Sequence, residues 1–195
     1  MLNIFWITFT LFLLMDAMGN IPIYLALLKK VPPKRQYVVI FREMTIALAT
    51  IILFNFLGEG LLRFLHISQN TIQIAGGIIL FILALNMIFS KEKNVTIEED
   101  GEPVVVPLAI PLIAGPAVLA AVMVFSHQVG DLIMVSAIFF AWLMTLIILL
   151  AAPFLQRILG KKGVLATEKL MGLILTLLSV EMFLDGLRSF LHIPA

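Results

Sequence analysis

Long apolar runs interrupted by short polar connectors dominate this chain. Six such runs, roughly Leu2–Leu28, Val38–Gly58, Thr71–Phe89, Val104–Phe125, Leu132–Leu155 and Val164–Leu191, each reach the ~20 residues a helix needs to cross a bilayer. The connectors Lys29–Tyr37, Gly60–Asn70, Ser126–Asp131 and Gln156–Gly163 are short, and Pro32 and Pro33 mark a stop in the first of them. A longer link, Ser90–Pro103, carries Glu98, Glu99, Asp100 and Glu102 and reads as a solvated acidic tether. The chain thus divides into a three-helix unit over residues 1–90, a cytoplasmic linker over 91–103 and a second three-helix unit over 104–195.

Composition sharpens the picture by exclusion. A hydrophobic fraction of 62% with 13% charged residues, and a mean hydropathy of +1.11, lie far outside the soluble range. Cysteine is absent, so disulfides, thiolate metal sites and cysteine nucleophiles drop out together. No basic patch suits nucleic acid, so the surroundings implied are lipid. The N-terminal run lacks a basic leader and continues to Lys29, which makes it a first span rather than a cleaved signal.

The net charge of +1 says little, but the placement of Lys and Arg says more. With the N-terminus outside, the inner connectors and adjoining helix ends hold Lys29, Lys30, Lys34, Arg35, Arg42, Lys91, Lys93, Arg157, Lys161, Lys162 and Lys169. The outer side holds only Arg63 and Arg188. This bias predicts both termini on the extracytoplasmic side.

The chain also aligns with itself. An offset of 95 places Gly77 to Met87 on Gly172 to Met182 and Gln73 on Glu168, while an offset of 94 places Asp16 to Pro22 on Ile110 to Pro116. One duplication accounts for all three. Three spans per half is an odd number, so the second half enters the membrane from the opposite side, as in the inverted repeats of secondary transporters. The expected fold is therefore an all-α membrane protein of six transmembrane helices, two inverted three-helix repeats with broken first and fourth helices.

Those breaks carry the candidate chemistry. Asp16, Gly19, Asn20 and Pro22 interrupt the first span past its middle, where a carboxylate costs about 2.5–3.5 kcal/mol and belongs in a protein interior or a water cavity. Pro22 has no N–H to give to the carbonyl of Met18, and Gly19 permits a bend, so the break is expected near Met18. The segment Pro107 to Pro116, with Pro111 and Gly115, cannot form one straight helix either. Two breaks meeting near the midplane would offer free N–H groups to an anion and free carbonyls to a cation, a combination suited to a zwitterion. A purely structural kink needs no carboxylate.

Other polar positions divide between roles. Glu181 is weighed evenly between proton or cation coupling and structure, and its repeat mate is Asn86; Asp185 is expected to pair with Arg188. Asn55, Thr50, Thr145 and Thr176 read as interhelical hydrogen-bond partners, and Arg42 and Glu43 as an anchor, a gate or part of a binding site. His66, His127 and His192 lack metal-ligand spacing, and no metal site is assigned. Gly76, Gly77, Ala84 and Gly172 mark close helix packing.

At Asp16–Pro22 and Pro107–Pro116 the sequence resembles the MarC family of bacterial and archaeal inner membrane proteins, over essentially the whole chain. Asp16, Gly19, Asn20 and Pro22 match the family's D-P-x-G-N-x-P motif, and Pro107, Ala109, Pro111, Ala114, Gly115 and Pro116 match P-x-A-x-P-x-x-A-G-P. Ala17 stands where the family usually has proline. The resemblance implies a six-helix transporter fold in the inner membrane, similar to amino acid exporters of the LysE type, with small neutral amino acids as substrates.

Taken together, these readings predict a secondary active transporter of small neutral amino acids of the glycine and alanine type, driven by a proton or sodium gradient. Asp16, Gly19, Asn20, Pro22, Pro111, Gly115 and Pro116 would form the substrate site, with Asp16 and Glu181 as candidates for ion or proton coupling. Beyond Na+ or H+ no cofactor is called for, and no enzymatic motif is present. Export of drugs or metabolites, or a non-transporting accessory subunit, are the competing readings, and self-association stays open.

Overall fold

The structure is a computed structural model that describes residues 3–28, 31–89, 113–126 and 128–191. Within these residues the chain is all-helical. Helices α1 (Ile4–Met15) and α2 (Ala17–Leu28) share the first span; α3 (Pro33–Leu65) and α4 (Gln69–Phe89) follow. The second half contains α5 (Pro116–Ser126), α6 (Asp131–Leu150) and α7 (Ala152–Leu191). Five segments are long and apolar enough to cross a bilayer, α1 and α2 counting as one, and α5 is a shorter apolar helix. With α5 as the described part of the fourth span, the helix count is the six expected. The linker, Pro107 and Pro111 lie outside the described residues, as do His127 and His192.

One connector is more helical than its composition predicts. α3 runs through Gly58 and Gly60 to Leu65, supported by an ion pair between Glu59 and Arg63 one turn apart, and ends at His66 in the left-handed region (φ 56°). At 33 residues, or ~50 Å, it exceeds the ~30 Å apolar layer. The stretch expected to link the fifth and sixth spans, Gln156–Gly163, does contain a break: α7 follows a short interruption at Ala151 and is two helices joined by a kink at Gly160 (φ 66°, ψ 175°), a conformation that favours glycine. In α3, by contrast, flanking leucines with good propensity carry the helix past Gly58 and Gly60.

A central layer of α1, α5 and α6 supplies much of the core. Ile7, Leu11, Val118, Val122, Ala137, Ile138 and Ala141 are all buried there. α3 packs on this layer through the stripe Ile40, Met44, Ala47, Ile51, Asn55, Gly58 and Leu62, and Trp142 Nε1 of α6 donates to the Met44 carbonyl at 2.6 Å. On the outside, residues such as Phe64 and Leu132 stand about four-fifths exposed, which suits a lipid boundary and no aqueous one.

α4 and α7 make the most extensive helix pair and run antiparallel. A Cβ on Gly77 would lie 2.9 Å from the Ser179 carbonyl and 2.9 Å from the Phe183 amide nitrogen; one on Gly172 would lie 3.1 Å from the Ala84 carbonyl. Close approach of the two backbones therefore depends on glycine, as the sequence predicts. The two contacts are also exchange-related: adding 95 to Gly77 gives Gly172, and adding 95 to Ala84 gives Ser179.

Candidate functional site

The first span breaks at Asp16 and not at Pro22. Asp16 adopts φ 45°, ψ 54°, the left-handed region, which ends the hydrogen-bond ladder of α1 as its C-cap. Its own N–H reaches back to the Leu13 carbonyl at 3.0 Å, and its carbonyl accepts from Asn20 N–H at 3.1 Å, opening α2. Pro22 removes only the single bond to Met18 and its φ is itself helical, so α2 passes through it. The expected release of the Met18 carbonyl near a proline break is therefore displaced to the end of α1. From Ile4 the joint lies ~18 Å along the span, past its midpoint.

Side chains close the joint from both directions. The Asp16 Oδ1 accepts the Gly19 N–H at 3.1 Å, capping the start of α2, and Asn20 Nδ2 donates to the Met15 carbonyl at 3.3 Å, covering the end of α1. Asp16 and Asn20 are 4% and 5% exposed, so both satisfy their polar groups almost entirely within protein. Gly19 has no room for a side chain: a Cβ would strike the Asp16 carboxylate and the Met87 methyl of α4. Below the joint, the Thr145 hydroxyl bonds the Ala141 carbonyl at 2.9 Å and lies 3.5 Å from Met15 Sδ. Met15, Asp16, Gly19 and Asn20 thus form one compact buried unit.

Of the segment Pro107 to Pro116, the residues from Ile113 onward are described. Gly115 precedes α5, whose first residue is Pro116, the position where a missing N–H costs nothing, and the Gly115 carbonyl accepts from Leu119 at 3.1 Å. Ile113, Ala114 and Gly115 are buried, and Ile113 and Ala114 belong to the same core cluster as Met15. Pro116 itself is exposed, so the buried part of this segment is Ile113, Ala114 and Gly115 just before α5.

Among the other candidates, Glu181 and its mate Asn86 are exposed on α7 and α4, away from the joint, so the buried unit does not include them. The physical reason is register: the contact face of α7 runs through Gly172, Leu175, Ser179 and Gly186, which leaves position 181 on the outer side. Asp185 pairs with Arg188 at 3.4 Å as expected. Thr50 and Thr176 bond carbonyls one turn back in their own helices, at 2.9 and 2.8 Å, and do not link helices.

Three groups matter more than their sequence context signals. Glu168 of α7, half-buried, lies within coulombic reach of Asp16. Glu43 is fully buried on α3 with its Oε1 3.7 Å from the exposed Arg42 Nε. Tyr24, 2% exposed on α2, has a hydroxyl with no hydrogen-bond partner among the described residues. The available signal for Tyr24 is helical spacing, since it stands four residues after Asn20 and eight after Asp16.

The fold and joint define a polytopic helical membrane protein with a discontinuous first span, whose irregular backbone is buried in protein. The comparisons with known proteins fix the family. A match to the family described as MarC family integral membrane protein covers residues 1–191. The chain is 46% identical over 199 residues to a UPF0056 membrane protein of Buchnera aphidicola subsp. Baizongia pistaciae, covering 99% of this chain and 100% of the relative. It is 45% identical over 185 residues to the UPF0056 inner membrane protein YhgN of Escherichia coli K12, covering 93% and 94%. A Chlamydia pneumoniae UPF0056 membrane protein is 37% identical over 186 residues, with 93% and 92% covered. No solved structure matches. The chain belongs to the MarC family.

Proposed function

We propose that this protein is a secondary active transporter of small neutral amino acids such as glycine and alanine, in the inner membrane with both termini on the extracytoplasmic side. The observation that carries the reading is the buried joint at Asp16. There the negative end of α1 and the positive start of α2 meet on one carboxylate, with the start of α5 opening into the same core. In the described state the joint satisfies itself. A zwitterion can take over both of its bonds: its carboxylate replaces Asp16 at the Gly19 N–H, and its ammonium replaces the Asn20 amide at the Met15 carbonyl while pairing with Asp16.

In this reading Gly19, Asn20 and Gly115 frame the substrate, Pro22, Pro111 and Pro116 fix the backbone around it, and Asp16 carries the coupling proton or Na+. The two three-helix halves would rock about the site as inverted repeats. Exchange of the Gly77–Ser179 and Gly172–Ala84 contacts under one offset supports that symmetry. So does the pairing pattern, in which α2 on α7 is matched by α5 on α4, and α2 on α6 by α5 on α3.

The test is uptake of radiolabelled glycine and alanine by proteoliposomes under a proton gradient or a sodium gradient imposed separately. Asp16→Asn is the informative variant, since asparagine also caps helices and tolerates the left-handed region. Membrane insertion and folding should persist while gradient-driven uptake is lost; full uptake by the variant would remove Asp16 from the mechanism.

A further inference from the structure

The joint at Asp16 has a carboxylate opposite it that the substrate reading does not use, Glu168 of α7. α2 and α7 pack on each other, and two contacts fix which part of α7 meets the joint. Val164 shares a buried cluster with Ile21 of α2, and Met18 and Leu25 pack against the same cluster. Two turns further along α7, a Cβ on Gly172 would lie 3.0 Å from Met87 Cβ of α4, and the methyl of that same Met87 fills the space beside Gly19. Glu168 stands midway, four residues from each, on the face that Val164 and Gly172 define. Its charge is accordingly within coulombic reach of Asp16, and it is half-buried where Asp16 is 4% exposed.

The internal repeat singles out the same two residues. Offsets of 95 and 94 place Gln73 on Glu168 and Asp16 on Ile110. The seam between α2 and α7 corresponds to that between α5 and α4, so both acids belong to one seam and both of their mates, an amide and an isoleucine, to the other. Duplication alone gives no reason for two acids to collect at one contact. An acid within an apolar span is costly, and Gln73 shows that an uncharged amide of the same shape suits the equivalent place.

We propose, resting on the transporter reading, that Glu168 carries protons between Asp16 and the cytoplasm. Asp16 has almost no exposed surface, so its proton needs a carrier to reach water, and acids in series serve as such relays in membrane transporters. The Glu168 carboxylate accepts the proton of the Asp16 carboxylic acid, which leaves the negative charge on Asp16. Glu168 then gives that proton to water and is a carboxylate again; uptake runs the two steps in reverse. Lys161, Val164 and Glu168 follow at intervals of three and four along one face of α7, and Lys161 is exposed at the end that the proposed topology places in the cytoplasm. Glu168 itself lies eight residues, or ~12 Å, beyond the kink at Gly160. On its own helix the neighbouring charges are Lys169 beside it and Lys161 and Lys162 two turns away, all exposed. Of the helices packed on α7, α2 has Tyr24 as its one titratable side chain, α4 has none, and α6 has Asp131 at its first residue.

The experiment compares wild type, Glu168→Gln and Glu168→Asp in proteoliposomes, by two assays on each preparation. One is accumulation of labelled glycine under a proton gradient, which requires protons to enter and leave the joint. The other is counterflow, in which preloaded unlabelled glycine exchanges for label with no ion gradient and the proton can stay in place. The expected result is that Glu168→Gln keeps counterflow and loses accumulation, while Glu168→Asp, which retains a carboxylate one methylene further back, accumulates with a shifted dependence on pH. Wild-type accumulation in Glu168→Gln overturns the inference and leaves the transporter reading in place. Accumulation by wild type under a sodium gradient alone does the same. If Glu168→Gln is inactive in both assays, Glu168→Asp decides: accumulation with a shifted pH profile upholds the relay, whereas the wild-type profile, or inactivity in both assays, overturns it. Absence of both accumulation and counterflow in wild type defeats the transporter reading and this inference with it.

Discussion

Replacing Gly77 by alanine separates the cost of helix packing from that of helix formation, because Gly60 provides the matching control. Both glycines lie inside helices, so alanine at either gains up to ~1 kcal/mol of helix propensity. At Gly60 nothing approaches within 4 Å of the added methyl, and the gain is kept. At Gly77 the methyl meets the Ser179 carbonyl and the Phe183 amide nitrogen at 2.9 Å, backbone atoms that no rotamer change can move aside. Overpacking then falls at the upper end of its usual range, ~3 kcal/mol, which leaves Gly77→Ala ~2 kcal/mol less stable than wild type. The two variants should differ by ~3 kcal/mol, or about a hundredfold in folding equilibrium. Reversible unfolding in mixed detergent micelles measures this directly. Gly172→Ala should fall between them, since its methyl meets Ala84 O at 3.1 Å and two side-chain carbons at 3.0 Å. Equal stabilities for Gly77→Ala and Gly60→Ala would refute the close approach of α4 and α7.

Two further variants probe the joint and the core. Gly19→Ala should displace the Asp16 carboxylate from its cap, costing ~1 kcal/mol, while flexible Met87 yields; glycine uptake should fall more than micelle stability does, and intact uptake would count against the substrate framing. Trp142→Phe removes the 2.6 Å bond to the Met44 carbonyl and should lower the unfolding free energy by about 1–2 kcal/mol, with an unchanged value showing that the indole only fills space.

Much of this molecule is visible in its sequence because lipid imposes simple rules. Apolar run length identified the spans, and glycines at related positions in two runs identified the tight α4–α7 contact. The break in the first span was legible as a region and misplaced within it. Proline announces itself in sequence, whereas the left-handed conformation of Asp16 is imposed jointly by the Gly19 and Asn20 bonds and has no composition signal. One helix end was missed for a related reason: Gly58 and Gly60 read as a stop, but neighbouring propensity overrides single glycines in α3, whereas the expected break over Gln156–Gly163 is present at Gly160. Glu43 and Tyr24 were obscured because burial depends on which face of a helix meets a partner, and in an apolar helix every face looks alike. The same ambiguity left Glu181 evenly weighed between coupling and structure, and the fold places it exposed on α7.

The reciprocal glycine contacts also bear on how such a chain could have arisen. Gly77 needs a neighbour running the other way, and in this protein that neighbour is supplied by the second half. A shorter ancestor ending at the fourth helix could have made the same contact only with a copy of itself inserted upside down. Such a precursor would have required evenly balanced lysine and arginine across its two faces. Carrying both helices in one chain removes that requirement, because the Gly77 and Gly172 contacts are then made within a single molecule.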